Sequence, residues 1–201
     1  MTSQQNTAFD QLCDYLRQTA LLGSVESLLG WDERTKMPVR GGAYRADQTA
    51  LLAGIVHGRR TDPCIGDWLD ELESSPLAED PHSDAGTVIR RTRWDYDKQV
   101  RIPQSLVEEI SRTTTLGQQT WVKARKENDF HSLAPVLDSI ISLKRQQAEA
   151  VGYEETPYDA LLDDFEPGET TANVRRILED LRGDLVPLVA AIAESPSQPE
   201  T

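Results

Sequence analysis

The sequence predicts an all-α fold, an array of long antiparallel helices. Apolar residues recur three and four positions apart through most of the chain, the period of a helix with one buried face. No segment sustains the one-in-two alternation of a half-buried strand, and there is no internal repeat and no glycine-rich phosphate loop. The breaks fall where Gly, Pro and Asn cluster.

Taken in order, the first helix is predicted from Thr7, whose hydroxyl can cap it, with Asp10 suited to the positive end of the helix dipole. Phe9, Leu12, Cys13, Leu16 and Ala20 lie on one face, and Leu21, Leu22, Val25, Leu28 and Leu29 extend it. Gly23 weakens this helix by about 1 kcal/mol relative to Ala. Trp31 closes the run, and Met37-Pro38 and Gly41-Gly42 break it. A second helix runs from Ala43 to Val56 and packs through Ala46, Ala50 and Ala53, with Leu51 and Leu52 as further candidates for that face and Gly58 placed to end it. Thr61 or Asp62 caps a third, with Pro63 tolerated in its first turn and Ile65, Trp68, Leu69 and Leu72 as its stripe.

Residues 74–84 read as a loop. The fourth helix follows through Val88, Ile89, Thr92, Tyr96 and Val100, with Arg90, Arg91 and Arg93 off the stripe. The fifth opens either at a capping box, Ser105 to Glu108, or with Pro103 as its first residue. Its inner face includes Ile110, Gly117, Trp121 and Ala124, and Asn128-Asp129-Phe130 breaks it. A sixth spans Ser132 to Val151 and stops at Gly152. A short helix from Tyr158 to Asp163 leads to Glu166-Pro167-Gly168-Glu169, a type II turn signature. Thr170 caps the last helix, whose stripe is Val174, Ile177, Leu178, Leu181, Leu185, Leu188 and Ile192, with a kink expected at Pro187. Residues 1–194 are read as a single helical domain and 195–201 as a disordered tail.

The 201 residues carry 21 basic and 34 acidic side chains, a net charge of −13. Such a chain repels phosphate backbones and anionic membrane surfaces, so no nucleic-acid or membrane partner is expected. No apolar run approaches the roughly 20 residues that span a bilayer. The first residues lack the basic and apolar blocks of a signal peptide. Cys13 and Cys64 read as two buried free thiols in a reducing cytoplasm.

Candidate chemistry is sparse. His57, His82 and His131 are far apart in sequence, none has a second histidine at helical spacing, and they read as capping or surface residues rather than zinc ligands. Asp159, Asp163, Asp164, Glu166 and Glu169 form an acidic cluster. It could hold a hard cation, or serve as a solvated edge and as partners for Arg175 and Arg176. No serine sits in a nucleophile elbow, and Cys13 lies on an apolar stripe. Trp31, Trp68, Trp94 and Trp121 read as helix-packing aromatics, with a binding groove as the other reading. No catalytic, cofactor-binding or metal-binding residue is assigned.

An ordered series of motifs resembles the N-terminal part of the carboxypeptidase Taq family, the thermostable zinc metallocarboxypeptidases. It begins with Trp31-Asp32, Met37-Pro38, Gly41-Gly42, Arg45-Ala46 and Gln48, then His57 with Thr61-Asp62-Pro63. It continues with Tyr96-Asp97-Lys98, Ile102-Pro103, Trp121, Ala124-Arg125, Asn128-Asp129-Phe130 and Pro135-x-Leu137. It ends with Pro157-Tyr158-Asp159-x-Leu161-Leu162-Asp163 and Glu166-Pro167-Gly168. Leu133 departs from the pattern, where a phenylalanine is expected. Within this series the predicted role of Trp31 is to pack at the end of the first helix, and that of Asp32 is to tie the turn to Arg45.

The resemblance implies the N-terminal part of a neurolysin-like metallopeptidase fold, in which a peptide substrate loses its C-terminal residue inside a deep helical groove. The family's catalytic zinc is held by a His-Glu-x-x-His helix and a downstream glutamate, in a C-terminal part with no counterpart here. The chain therefore reads as a groove wall, truncated and inactive alone. The alternatives are a free-standing, catalytically dead interaction or scaffold protein, and an enzyme with a carboxylate-only metal site at Asp159 and Asp163. A wall without its partner exposes apolar surface, which implies self-association as a homodimer.

Overall fold

The computed structural model describes residues 2–196, with side chains from residue 7. The described residues form helices, two short 3-10 turns and connections, and contain no strand. They divide into two compact units, one ending at Val151 and one beginning at Gly152.

In the first unit, α1 (Thr2–Thr35) is 34 residues long, about 50 Å at 1.5 Å per residue. It starts before Thr7 and continues past Trp31, so neither residue marks an end. Gly23 and Gly30 lie inside it with open space around them. Their cost of about 1 kcal/mol each is spread over a long helix whose N-terminal half is anchored by packing. The end comes where the Lys36 and Met37 amides both donate to the Asp32 carbonyl and Pro38 turns extended. A 3-10 turn, Val39–Gly41, leads into α2 (Gly42–Arg60).

Gly58 does not end α2. The helix continues to Arg60, because Arg59 reaches across to α1, donating to the Thr19 hydroxyl (3.0 Å) and the Tyr15 carbonyl (3.3 Å). Those bonds outweigh the weak local preference of glycine for a stop. Asp62, of the two predicted caps, accepts from the Cys64 amide at 3.0 Å and opens α3 (Pro63–Glu73). The predicted loop contains a single 3-10 turn, Pro76–Ala78. Ser83 then caps α4 (Asp84–Gln99) through the Gly86 amide.

The core of this region joins Ala8 and Leu12 of α1, Ile65, Leu69 and Leu72 of α3, and Ile89 of α4. Leu12, Leu69 and Leu72 are fully buried. Burial of such side chains contributes about 1.5–3 kcal/mol each.

α5 (Gln104–Glu127) opens with Pro103 as the residue before the helix and no side-chain cap, so neither predicted opening is used. It packs antiparallel to α2. Thr49 and Thr115 hydroxyls meet at 3.1 Å, a methyl at Gly42 would overlap Gln119, and one at Gly54 would overlap Glu108. The small residues of α2 thus bring the two backbones close, as their pattern predicts. Leu51, a further candidate for that face, is exposed instead. Asn128, in the left-handed region at φ 55°, ends α5, and the Asp129 amide returns to the Ala124 carbonyl. Asparagine tolerates this conformation better than most residues. α6 (Phe130–Val151) turns back along α5, with Val136 and Ile140 against Gly117. Gly152, at φ 86°, stops it as predicted.

In the second unit, Thr156 caps α7 (Pro157–Leu162). The turn at 166–169 has Gly168 at φ 82° and a Glu169 amide to Glu166 carbonyl bond of 3.0 Å, the predicted type II pattern. Thr170 caps α8 (Thr171–Ala193) through the Asn173 amide, and Pro187 lies inside that helix. α8 has no buried residue along its 23 positions. The predicted tail falls, from residue 197 on, outside the described residues.

Candidate functional site

The corner after α1 is built from one arginine. Arg45, on the first turns of α2, donates Nη2 to Asp32 Oδ2 at 2.6 Å and Nη1 to the Leu29 carbonyl at 2.6 Å. Its Nε donates to Gln48 at 3.1 Å. The Arg45 side chain is only 12% exposed. It therefore closes the turn between two antiparallel helices by binding both the Asp32 carboxylate, as the sequence predicts, and a main-chain carbonyl in the last turns of α1. Trp31, the neighbouring landmark, does not pack there: it is 55% exposed. On α1 it stands one residue from Asp32, and the face toward α2 is taken by the Arg45 contacts.

The other tryptophans differ from one another. Trp68 packs edge-on against Tyr15 at 5.7 Å, within the core region. Trp94 is half-buried beneath two cations, Arg91 at 4.0 Å and Lys98 at 4.7 Å. Trp121 is largely exposed on α5. Only Trp68 and Trp94 are thus packing residues of the kind predicted.

His57 is not a surface residue. It sits buried in the last turns of α2, with Nε2 2.9 Å from the Ile102 carbonyl. That bond ties the end of α2 to the connection between α4 and α5, and Nδ1 is buried without a partner. His82 and His131 are exposed in a turn and in the first turn of α6. The histidines do not come together. Among the described residues no group of three or more His, Cys, Asp or Glu side chains is arranged to hold a metal ion.

Tyr15, Arg59 and Asp62 form a network at the junction of α1, α2 and α3. The Tyr15 hydroxyl donates to Asp62 Oδ2 at 2.8 Å, and the Arg59 guanidinium lies 4.0 Å over the Tyr15 ring. The Cys64 amide bond, together with Tyr15, holds the Asp62 carboxyl below its usual range. Burial, reinforced by Asp62, pushes the Tyr15 phenol up to about 12 and the Cys64 thiol up to about 11. Burial also raises the Cys13 thiol. Both cysteines are half-buried rather than fully buried. Held as thiols at neutral pH, they lack the thiolate that nucleophilic chemistry requires. No local signal in the sequence announces the long-range partners of Arg59.

The acidic cluster has structural work. Asp159 accepts from the Thr171 amide at 2.7 Å and the Thr171 hydroxyl at 2.5 Å, which lowers its pKa. Asp163 accepts from the Gly168 amide at 2.9 Å. Both carboxylates therefore brace the 163–171 connection from α7. Arg176 is engaged by Asn173 and Asp180 on α8.

Recesses on the first unit include two that border α1. One, of about 320 Å³, is lined by apolar Leu16, Ala20 and Ile65 together with Thr92, Asp95 and Tyr96. The second, also about 320 Å³, is polar, lined by Glu26, Glu33, Thr49, Ser111 and Thr115 between α1, α2 and α5. Neither of these two pairs a nucleophile with a base and an oxyanion-binding group.

Comparison with known proteins agrees with that geometry. Over residues 11–201 the chain matches the family described as carboxypeptidase Taq (M32) metallopeptidase. It is 35% identical to thermostable carboxypeptidase 1 of Thermus thermophilus over 204 residues, which cover 96% of this chain and 40% of that relative. Among solved structures, that of BsuCP superposes with a TM-score of 0.87 at 26% identity, over 97% of this chain and 39% of the other. Pyrococcus furiosus carboxypeptidase superposes with a TM-score of 0.74 at 30% identity, over 93% and 37%. The chain thus spans about two-fifths of the length of the curated relatives it matches. Its helical fold and its match to the family over residues 11–201 place it in one group: the chain belongs to the carboxypeptidase Taq (M32) metallopeptidase family.

Proposed function

We propose that this chain is one helical wall of the substrate groove of a zinc carboxypeptidase, and that it is inactive by itself. The observation that carries this reading is coverage. Almost the whole chain matches family members, while about three-fifths of each relative has no counterpart in it. The sequence contains no His-Glu-x-x-His motif. Zinc, when bound in the remaining part, would supply an activated water for attack on the scissile carbonyl. The peptide would lie against this wall and lose its C-terminal residue, in the cytoplasm. Both compact units would serve together as one helical domain, residues 1–194. In isolation, exposed apolar surface favours self-association, which light scattering over a range of concentrations would register.

The test is direct. The purified chain should retain no stoichiometric zinc after mild chelation, and should release no C-terminal residue from a peptide. Stoichiometric retained zinc, or measurable hydrolysis, would overturn the proposal.

A further inference from the structure

Four helices converge on the recess beside Leu16. Its hydrocarbon comes from Leu16 and Ala20 of α1 and from Ile65 of α3, which is fixed in the core. Its polar groups come from α4 and from Arg60, the last residue of α2. Elsewhere in this unit the polar side chains at helix junctions are spent on one another: Arg45 on Asp32, Arg59 on Thr19, Tyr15 on Asp62. Those of the recess are not. The Arg60 guanidinium, the Thr92 and Tyr96 hydroxyls and the Gln99 side-chain amide have no hydrogen-bond or ion-pair partner among the described residues. Asp95 meets Arg91 alone among them, at 3.7 Å, with both side chains more than half exposed. Tyr96 is held firmly: a methyl on Gly66 would come within 3.0 Å of its hydroxyl, so the α3 glycine is what admits the ring. Burial raises its phenol above the ordinary value, and it remains a donor at neutral pH.

Three observations define a ligand. The volume, about 320 Å³, lies at the small end of the roughly 300–1,000 Å³ range of ligand pockets, which suits a single amino acid rather than a nucleotide or an oligopeptide. The lining carries one cation, Arg60, and one anion, Asp95. A simple anion or cation would therefore meet one opposite and one like charge, whereas a zwitterion meets two opposite charges. The hydrocarbon of Leu16, Ala20 and Ile65 favours an apolar group beside that zwitterion.

We propose that this recess binds a free aliphatic α-amino acid of about the size of leucine. Its carboxylate accepts from the Arg60 guanidinium, a planar donor matched to carboxylates. Its ammonium donates to Asp95, and its side chain lies on Leu16, Ala20 and Ile65. The site goes beyond the groove-wall reading and is argued from its own residues alone.

The test titrates the isotope-labelled 201-residue chain with L-leucine and follows backbone amide shifts by NMR. A ligand this small should saturate with a Kd of about 1 mM, and the shifts should fall in residues 16–20, 60–65 and 92–99. Leucinamide lacks the carboxylate and isocaproate lacks the ammonium. Each should bind about tenfold more weakly, the loss of one charge-assisted contact. Arg60→Gln should weaken leucine by about tenfold and leave leucinamide unchanged, and Asp95→Asn should weaken leucine and leave isocaproate unchanged. Both side chains are exposed, so neither change threatens the fold. Ala20→Phe fills the recess and should abolish binding; if it also lowers the urea midpoint, the two charge variants decide the matter. No saturation by about 10 mM leucine, ten times the expected Kd, would overturn the proposal. So would shifts confined to other residues, equal binding of the three ligands, or binding retained by a folded Ala20→Phe. Arg60→Gln weakening leucine and leucinamide alike would overturn it too, since the guanidinium would then not be reading the carboxylate. No turnover is measured, so failure here leaves the groove-wall reading standing, and failure of that reading leaves this site standing.

Discussion

Replacing Arg45 by alanine should be the most informative disruption of the first unit. The side chain is 12% exposed and makes bonds at 2.6 Å to the Asp32 carboxylate and 2.6 Å to the Leu29 carbonyl, with a third to Gln48. A hydrogen bond to a charged group contributes about 1.5–3 kcal/mol. Asp32 is 34% exposed, so water recovers part of that loss for the carboxylate. The expected cost is about 2–4 kcal/mol. Arg45→Lys keeps the charge but not the planar fork, and should recover less than half of it. All four tryptophans lie before Val151, so fluorescence during urea unfolding reports this unit alone. A double-mutant cycle with Asp32→Ala should give a coupling of about 1 kcal/mol or more. A change below about 0.5 kcal/mol for Arg45→Ala, the range of an ordinary surface substitution, would refute the reasoning, as would strict additivity in the cycle.

Other outcomes follow from single contacts. A methyl at Gly86 would lie 2.1 Å from the Asp80 carbonyl oxygen, a backbone atom that cannot swing aside; Gly86→Ala should cost about 1–3 kcal/mol, and an unchanged urea midpoint would refute the close approach. Asp62 has a depressed folded pKa, so its stabilisation is complete above the ordinary aspartate value and is lost as pH falls through the folded value. Asp62→Asn should therefore flatten the loss of stability on the acid side, and parallel pH profiles for the two proteins would contradict the assignment. Cys64, raised to about 11, should react slowly with iodoacetamide at neutral pH and faster as pH rises toward that value. Fast alkylation at pH 7 in the folded protein would rule out its protected environment.

Much of this architecture was legible because it is locally encoded. The caps at Asp62 and Thr170, and the stops at Asn128 and Gly152, each need only neighbouring residues to satisfy a backbone group or adopt a left-handed dihedral. The Asp32–Arg45 tie, although 13 residues apart, was legible through an ordered motif series. Residues whose role depends on a distant partner were not. Gly58 reads as a stop until Arg59 reaches Thr19, and His57 reads as a surface residue until the Ile102 carbonyl is brought to it.

By itself, then, the amino-acid sequence determined the helix count, most helix ends, the family, and the absence of a recognisable zinc motif. All of these depend on short-range order or on identity at named positions. Only the tertiary structure decided which apolar faces are satisfied. Trp31 and α8 have the composition of buried elements and yet stand exposed, while the stripe joining Leu12 to Leu69 is fully covered. Burial is a property of what lies opposite, and periodicity specifies a face without specifying its occupant.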